Sequence, residues 1–375
     1  MMIFERREEM KRILAFLLAL VMIFSITACT GKEKEEAALE VTEVETEEAT
    51  EEAKEEETPE PEKVDFTGRT MNVVATSDKY VTLFDKFTQE TGAKVEFLSM
   101  SSGEVLSRVE AEGGTPMADL WFGGGLDAFM DAKAKGFLES FEVPEAADVP
   151  AEYKDPEGFW YSKGLTVVGF LLNDKVIAEK GFKAPETWAD LADPIYKDEI
   201  IMSNPAISGT NYAAVKGIID MMGEDAAWDY FAKLNDNIPY YGKRGKDPQE
   251  KTVAGEFAIG IIPVDKSAFD AAAENGLTVV YPTDGIPWVP EGVAVFKGSE
   301  NADVAKEFVN FMLRPDNQQI VAELDGKDSA QLIKPGVEGL SLGLPQDKLV
   351  KQELATFGEQ REAILNRWKE LTGDK

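Results

Sequence analysis

The chain has no histidine and only one cysteine among its 375 residues. Without them, Ser-His-Asp and Cys-His nucleophilic chemistry, histidine-ligated zinc and cysteine-rich metal sites are all excluded. Positive charge is scarce too: 39 Lys and Arg stand against 70 Asp and Glu, a formal net charge of −31. A surface that follows nucleic-acid phosphates needs the opposite balance, so nucleic acid is not an expected partner. No stretch of the form GxxxxGK[ST] occurs, which removes the phosphate loop of an ATPase.

The one cysteine is informative. "MKRILAFLLALVMIFSITAC" reads as a basic start (Lys11, Arg12), an apolar run (Ile13 to Phe24) and Ser25-Ile26-Thr27-Ala28-Cys29. This is the layout of a secretory signal, and Ile-Thr-Ala-Cys resembles the lipobox of bacterial lipoproteins. Residues 1–28 are expected to be the signal peptide, with Cys29 lipidated. The competing reading is a membrane-spanning anchor, for which the apolar run is marginally short. Residues 29–64 then form an acidic tether. Lys32 to Lys63 holds 15 acidic and 4 basic residues and no aromatic, so it cannot collapse onto a core.

From Phe66 onward strand-like and helix-like runs alternate. "TMNVVAT", "AKVEFLS" and "ADLWFGGG" have strand character. "YVTLFDKFTQETG", "SGEVLSRVEAEGG" and "LDAFMDAKAKG" have helical spacing with glycine stops. The alternation predicts a largely parallel α/β sheet covered by helices. Ligands of such sheets sit beyond the C-terminal strand ends. The loops there read Thr76-Ser77-Asp78, Ser99-Met100-Ser101-Ser102-Gly103 and Gly123-Gly124-Gly125. Each alone is an ordinary cap or turn; three at one sheet edge suggest a site.

A second α/β unit follows. "TVVGFLLN" is a strand able to cross between lobes, and "TWADLADPIYKDEIIMSNP" leads through a helix to a strand. Ser208-Gly209-Thr210 opens the next helix, "IPYY" and "FAIGIIPV" are strand-like, and "EGVAVFKG" is a returning strand. The long helical run "NADVAKEFVNFMLRPDNQQIVAEL" and the remainder to Lys375 are expected to complete the first lobe.

"ADLWFGGGLDAFMDAKAKGFLE", "WADLADPIYKDEIIMSNPAISGTNYAAV", "GEFAIGIIPVDKSAFDAAAENGLTVVYPTDG" and "EGVAVFKGSENADVAKEFVNFM" resemble the bacterial extracellular solute-binding proteins of ABC importers. The branch is the one with iron(III)-, 2-aminoethylphosphonate-, thiamine- and sugar-phosphate-binding members. The resemblance implies a two-lobed periplasmic-binding-protein (type II) α/β fold with a ligand cleft between the lobes. It places lobe 1 at residues 65–165 plus 292–375 and lobe 2 at 166–291. It implies a monomer with a small-molecule solute and an ABC permease as partners, a lipid anchor in the membrane, no cofactor and no catalysis. It also implies that Ser208, Gly209 and Thr210 line the cleft, where unpartnered helix N–H groups can hold an oxyanion.

The expected ligand set is Thr76, Ser77, Ser101, Ser102, Gly124, Ser208, Gly209, Thr210, Lys243, Arg244 and Asp265. Lys243 and Arg244 would clamp an anion, or stay solvated. Asp265 would accept an ammonium, and Trp288 would pack over the ligand or simply fill a hinge. A phosphonate or phosphate ester fits this set. Iron(III) held by Tyr240 and Tyr241 is the alternative, because a hard ion takes phenolate oxygen; a thiamine-like or sugar ligand also stays open. An enzyme with paired carboxylates needs no histidine, but no two carboxylates stand out.

Overall fold

A computed structural model describes residues 64–375 except 328, 329 and 374. The expected signal peptide, Cys29 and most of the expected tether lie outside the described residues. Eight strands form the framework: β1 (Thr70–Ala75), β2 (Lys94–Ser99), β3 (Leu120–Gly125), β4 (Tyr161–Asn173), β5 (Ile200–Ile201), β6 (Ile259–Pro263), β7 (Leu277–Val280) and β8 (Trp288–Val295). Their order is β2-β1-β3-β8-β4-β6-β5, with β7 also on β4.

β4 carries the chain from one lobe to the other. Its residues from Tyr161 to Val167 pair antiparallel with β8, while Val168 to Asn173 pair with β6 and β7. All thirteen β4 residues are buried, as expected for a strand covered on both faces and lacking polar alternation. β1 pairs parallel with β2 and β3, and β5 parallel with β6. The pairings of β8 with β3 and β4, and of β4 with β6 and β7, are antiparallel. The sheet is thus mixed rather than largely parallel, because both crossing strands return against their neighbours.

Helix formation follows the apolar spacing. Val81–Thr91 buries Leu83, Phe84 and Phe87 and ends where Gly92, at φ 77°, donates to Thr88 O; that left-handed angle suits glycine. Phe87 meets Phe308 and Phe311 edge-on at 5.1 and 5.2 Å, so this helix and Ala302–Leu313 close over one face of β1 and β3. On the opposite face Trp121 stacks on Phe129 with centroids 4.0 Å apart. Such aromatic pairs add about 0.5–1.5 kcal/mol beyond area burial.

Three expectations change. The long C-terminal helical run breaks into Ala302–Leu313 and Pro315–Asp325, because Arg314, before a proline, is extended at φ −62°, ψ 142°. "WADLADPIY" forms only 3₁₀ turns, Ala189–Ala192 and Pro194–Tyr196, the second opened by the Asp193 cap and Pro194. "IPYY" is no strand; only Gly242 beyond it makes a single bridge to Ser203. The final helix, Arg361–Thr372, makes contacts on two sides: Arg361 pairs with Asp127, on the helix after β3, at 2.8 Å. Its Trp368 packs on Phe231 and Tyr241, and Arg367 pairs with Glu224 at 2.9 Å. Among the described residues no helix is long and apolar enough to cross a membrane.

Candidate functional site

A cleft of about 550 Å³ opens between the two halves of the sheet. Thr76, Ser101, Ser102 and Gly124 line one side, and Ser208, Gly209, Thr210, Lys243 and Arg244 the other. In the first group Thr76, Ser101 and Ser102 follow β1 and β2, and Gly124 lies at the end of β3; the second opens the helix Gly209–Met222 and the loop before Asp247–Val253. Thus loops far apart in sequence meet where strand ends give way to helix starts.

Two helix N-termini face the cleft. At Ser101 a capping box operates: its N–H and Oγ donate to Glu104 Oε2 at 2.9 and 2.8 Å. Ser208 Oγ accepts from Asn211 N at 3.4 Å and from Asn211 Nδ2 at 3.1 Å, so its hydroxyl serves the fold as a cap. The first intrahelical bond here runs from Tyr212 N to Ser208 O. The N–H groups of Gly209 and Thr210 precede it and have no partner within the helix. Among the described residues the hydroxyls of Thr76, Ser102 and Thr210 make no hydrogen bond to protein.

Lys243, Arg244 and Lys246 project from a loop whose backbone is fixed. Asp247 Oδ2 accepts from the N–H groups of Lys243 and Arg244 at 2.7 and 3.1 Å, and Ser203 Oγ donates to Arg244 O at 2.5 Å. All three side chains are exposed, all line the cleft, and among the described residues none pairs with a carboxylate. In so acidic a chain, three unpaired cations on one wall form a local positive field. Background charges beyond about 8–10 Å are screened at physiological salt.

The floor was not legible in the sequence. It consists of Thr166, Val289 and Glu291, with Glu104 and Glu250 at the walls. Burial pushes the Glu291 carboxyl up, but Lys163 and Lys327 more than reverse this and hold it well below the usual carboxylate range. Lys163 is fully buried, yet Asp325 and Glu291 keep it protonated well above its ordinary value. The one available signal was a glutamate inside the apolar strand "VPEGVAV".

Two expected residues lie outside the cleft. Ser77 caps the turn Asp78–Tyr80, accepting from Lys79 N at 3.3 Å. Asp265 caps Lys266–Asn275, accepting from Ala268 N at 3.2 Å and Ser267 Oγ at 2.6 Å. Trp288 also turns away, donating from Nε1 to Val350 O at 2.8 Å; its neighbour Val289 lines the floor instead. Neither phenol of the tyrosine pair lines the cleft. Tyr240 is exposed beside Phe257. Tyr241 is buried, donates to Asn235 Oδ1 at 2.9 Å, and burial holds its phenol neutral well above the ordinary value. A phenol held neutral is a poor iron ligand.

Comparison with known proteins agrees with this architecture. The family model of bacterial extracellular solute-binding proteins matches residues 115–338, more than half of the chain. A protein of uncharacterised function from Haemophilus influenzae is 29% identical over 291 residues, covering 75% of this chain and 84% of its own. A probable ABC transporter periplasmic-binding protein of Sinorhizobium fredii is 26% identical, covering 59% of this chain and 62% of its own. Among solved structures, the periplasmic binding protein AfuA of Actinobacillus pleuropneumoniae, with exogenous fructose-6-phosphate bound, superposes with a TM-score of 0.74. It is 27% identical, covering 82% of this chain and 99% of AfuA. With one sheet in two halves, a cleft between them and that match, this chain belongs to the bacterial extracellular solute-binding proteins: it is the substrate-binding component of an ABC importer, acts outside the cytoplasm and is not an enzyme.

Proposed function

We propose that the solute is a small phosphonate or phosphate ester. The carrying observation is the unpaired trio Lys243, Arg244 and Lys246 on the same wall of the cleft as the free helix N–H groups of Gly209 and Thr210. Helix N-termini and guanidinium forks both match tetrahedral oxyanions. The similar AfuA structure, which holds fructose-6-phosphate, supports the same class. Nothing in the cleft favours the Tyr240 and Tyr241 iron reading.

Lobe 1 comprises β1–β3 with β8 and the first part of β4; lobe 2 comprises β5–β7 with the rest of β4. Strand pairing supports boundaries near Val167/Val168 and Pro287/Trp288. The C-terminal helix touches both lobes, with Trp368 on Phe231 and Arg361 paired to Asp127. A solute that touches both lobes shifts the molecule toward its closed form, which the permease reads. The chain acts as a monomer held at the membrane by lipid on Cys29; Cys29→Ser is expected to abolish labelling by a radioactive fatty acid.

The test is a thermal-shift panel on the full chain. It contains 2-aminoethylphosphonate, hexose phosphates, inorganic phosphate, iron(III) citrate, thiamine and neutral sugars. A ligand at about 100 times its Kd adds about 2.7 kcal/mol, a shift of several degrees. A response confined to iron, thiamine or neutral sugars would sink the anion reading.

A further inference from the structure

Beneath the cleft lies a buried charge network built from the first part of β4, β8, the turn after β1 and the end of the helix Pro315–Asp325. Lys163 Nζ of β4 donates to Glu291 Oε2 at 2.5 Å and Asp325 Oδ2 at 2.6 Å. Lys327 Nζ lies 2.9 Å from Glu291 Oε1 and donates to Thr166 Oγ1 at 2.7 Å; that hydroxyl in turn donates to Glu291 Oε1 at 2.7 Å. At the far side Tyr80 donates to Asp325 Oδ1 at 2.6 Å, and Lys79 lies 3.1 Å from the same oxygen.

Buried ion pairs are a weak source of net stability, since desolvation offsets most of their attraction. What this network does is aim one carboxylate. Asp325 is 2% exposed and turned wholly into protein, whereas Glu291, 15% exposed, reaches the cleft with Thr166. Glu291 Oε1 already accepts from two donors and Oε2 from one, so Oε2 keeps acceptor capacity open. Three donors fix the side chain in place, so a ligand would meet a preorganised acceptor. Three lysines against two carboxylates leave a surplus positive charge, so the floor as a whole does not repel an anion.

We propose that Glu291 is a specificity-determining ligand contact: it accepts a hydrogen bond from a hydroxyl or ammonium group of a solute whose anionic end is held by Lys243 and Arg244. Thr166 is a positioning residue that aims the carboxylate. The assignment rests on the anion-binding reading of the same cleft. A solute carrying phosphate but no donor would fill the basic wall and leave the floor unmet.

Two matched pairs test this by titration calorimetry on the full chain: ethylphosphonate against 2-aminoethylphosphonate, and ethyl phosphate against glycerol 3-phosphate. One charge-assisted hydrogen bond corresponds to about tenfold in affinity. The donor-bearing member of at least one pair is expected to bind about tenfold tighter. In Glu291→Gln that preference is expected to shrink to less than about threefold. Should this variant fail to fold, the same comparison is made with Thr166→Val, which keeps all five charges; a smaller preference supports the assignment and an unchanged one overturns it. Equal binding within both pairs by the natural chain overturns the role of Glu291 and leaves the anion reading standing. Binding of none of the four overturns both.

Discussion

Gly209 of the second lobe meets Gly125 of the first so closely that a Cβ on Gly209 would lie 2.8 Å from Gly125 Cα. Gly103 stands likewise against Ala206, where an added Cβ would lie 2.5 Å from the carbonyl oxygen. No real Cβ tolerates such distances to backbone, so these glycines let two helix starts close on each other.

Gly209→Ala and Gly103→Ala are therefore expected to hold the lobes apart. Affinity for the solute found in the panel should fall by about tenfold or more, since 1.4 kcal/mol suffices. Neither site requires a left-handed backbone, so melting temperature should change little. Calorimetry beside a thermal melt separates the two effects, and undiminished affinity would remove the closure role of these contacts.

The basic loop supports a different expectation. Lys243→Ala and Arg244→Ala remove exposed side chains whose backbone is held by Asp247. Stability should stay within about 0.5 kcal/mol of the parent. Affinity for an anionic solute should drop about tenfold for each, with a weaker dependence on salt. Titrations at low and high ionic strength decide it; equal affinity at both would mean that these side chains are merely solvated.

Removing one member of the buried network exposes its partners' desolvation. Lys163→Ala leaves Glu291 and Asp325 facing each other without their shared cation. About 3–5 kcal/mol of stability should be lost, readable as a lower urea midpoint. A loss below about 1 kcal/mol would show that water relieves the site.

The same network sets an acid limit. Glu291 and Asp325 both titrate below their ordinary values in the folded protein: burial opposes this, but Lys163 with neighbouring lysines outweighs it. A depressed carboxyl contributes stability above its unfolded pKa, and that stability is lost as pH falls through the folded value. Stability should thus begin to fall below about pH 4.5 and keep falling toward the depressed values. Asp325→Asn should show a shallower acid slope in melts at stepped pH. An identical slope would place the acid sensitivity elsewhere.

The local devices of the site were legible because they are written in neighbouring residues. Ser208-Gly209-Thr210 before an apolar run marks a helix start wherever the chain goes, and Thr76, Ser101 and Gly124 sit where strands give way to helices. The same local logic also picked Asp265 and Ser77, which serve as caps and are not among the residues that line the cleft. Tyr240 and Tyr241 were an alternative ligand pair on adjacency alone; one ring, Tyr241, is buried and the other exposed.

By itself the sequence determined the alternation of strands and helices, the family, and the hydroxyl- and glycine-rich helix starts, since each depends on residues within a turn of one another. Only the tertiary structure decided which loops meet, that Trp368 of the last helix packs on Phe231, and that Glu291 lines the cleft. Lys163 finds Glu291 across 128 residues and Asp325 across 162. A charge buried by such distant partners leaves no periodic trace in the chain, because the crossing of β4 and β8 is what removes it from water.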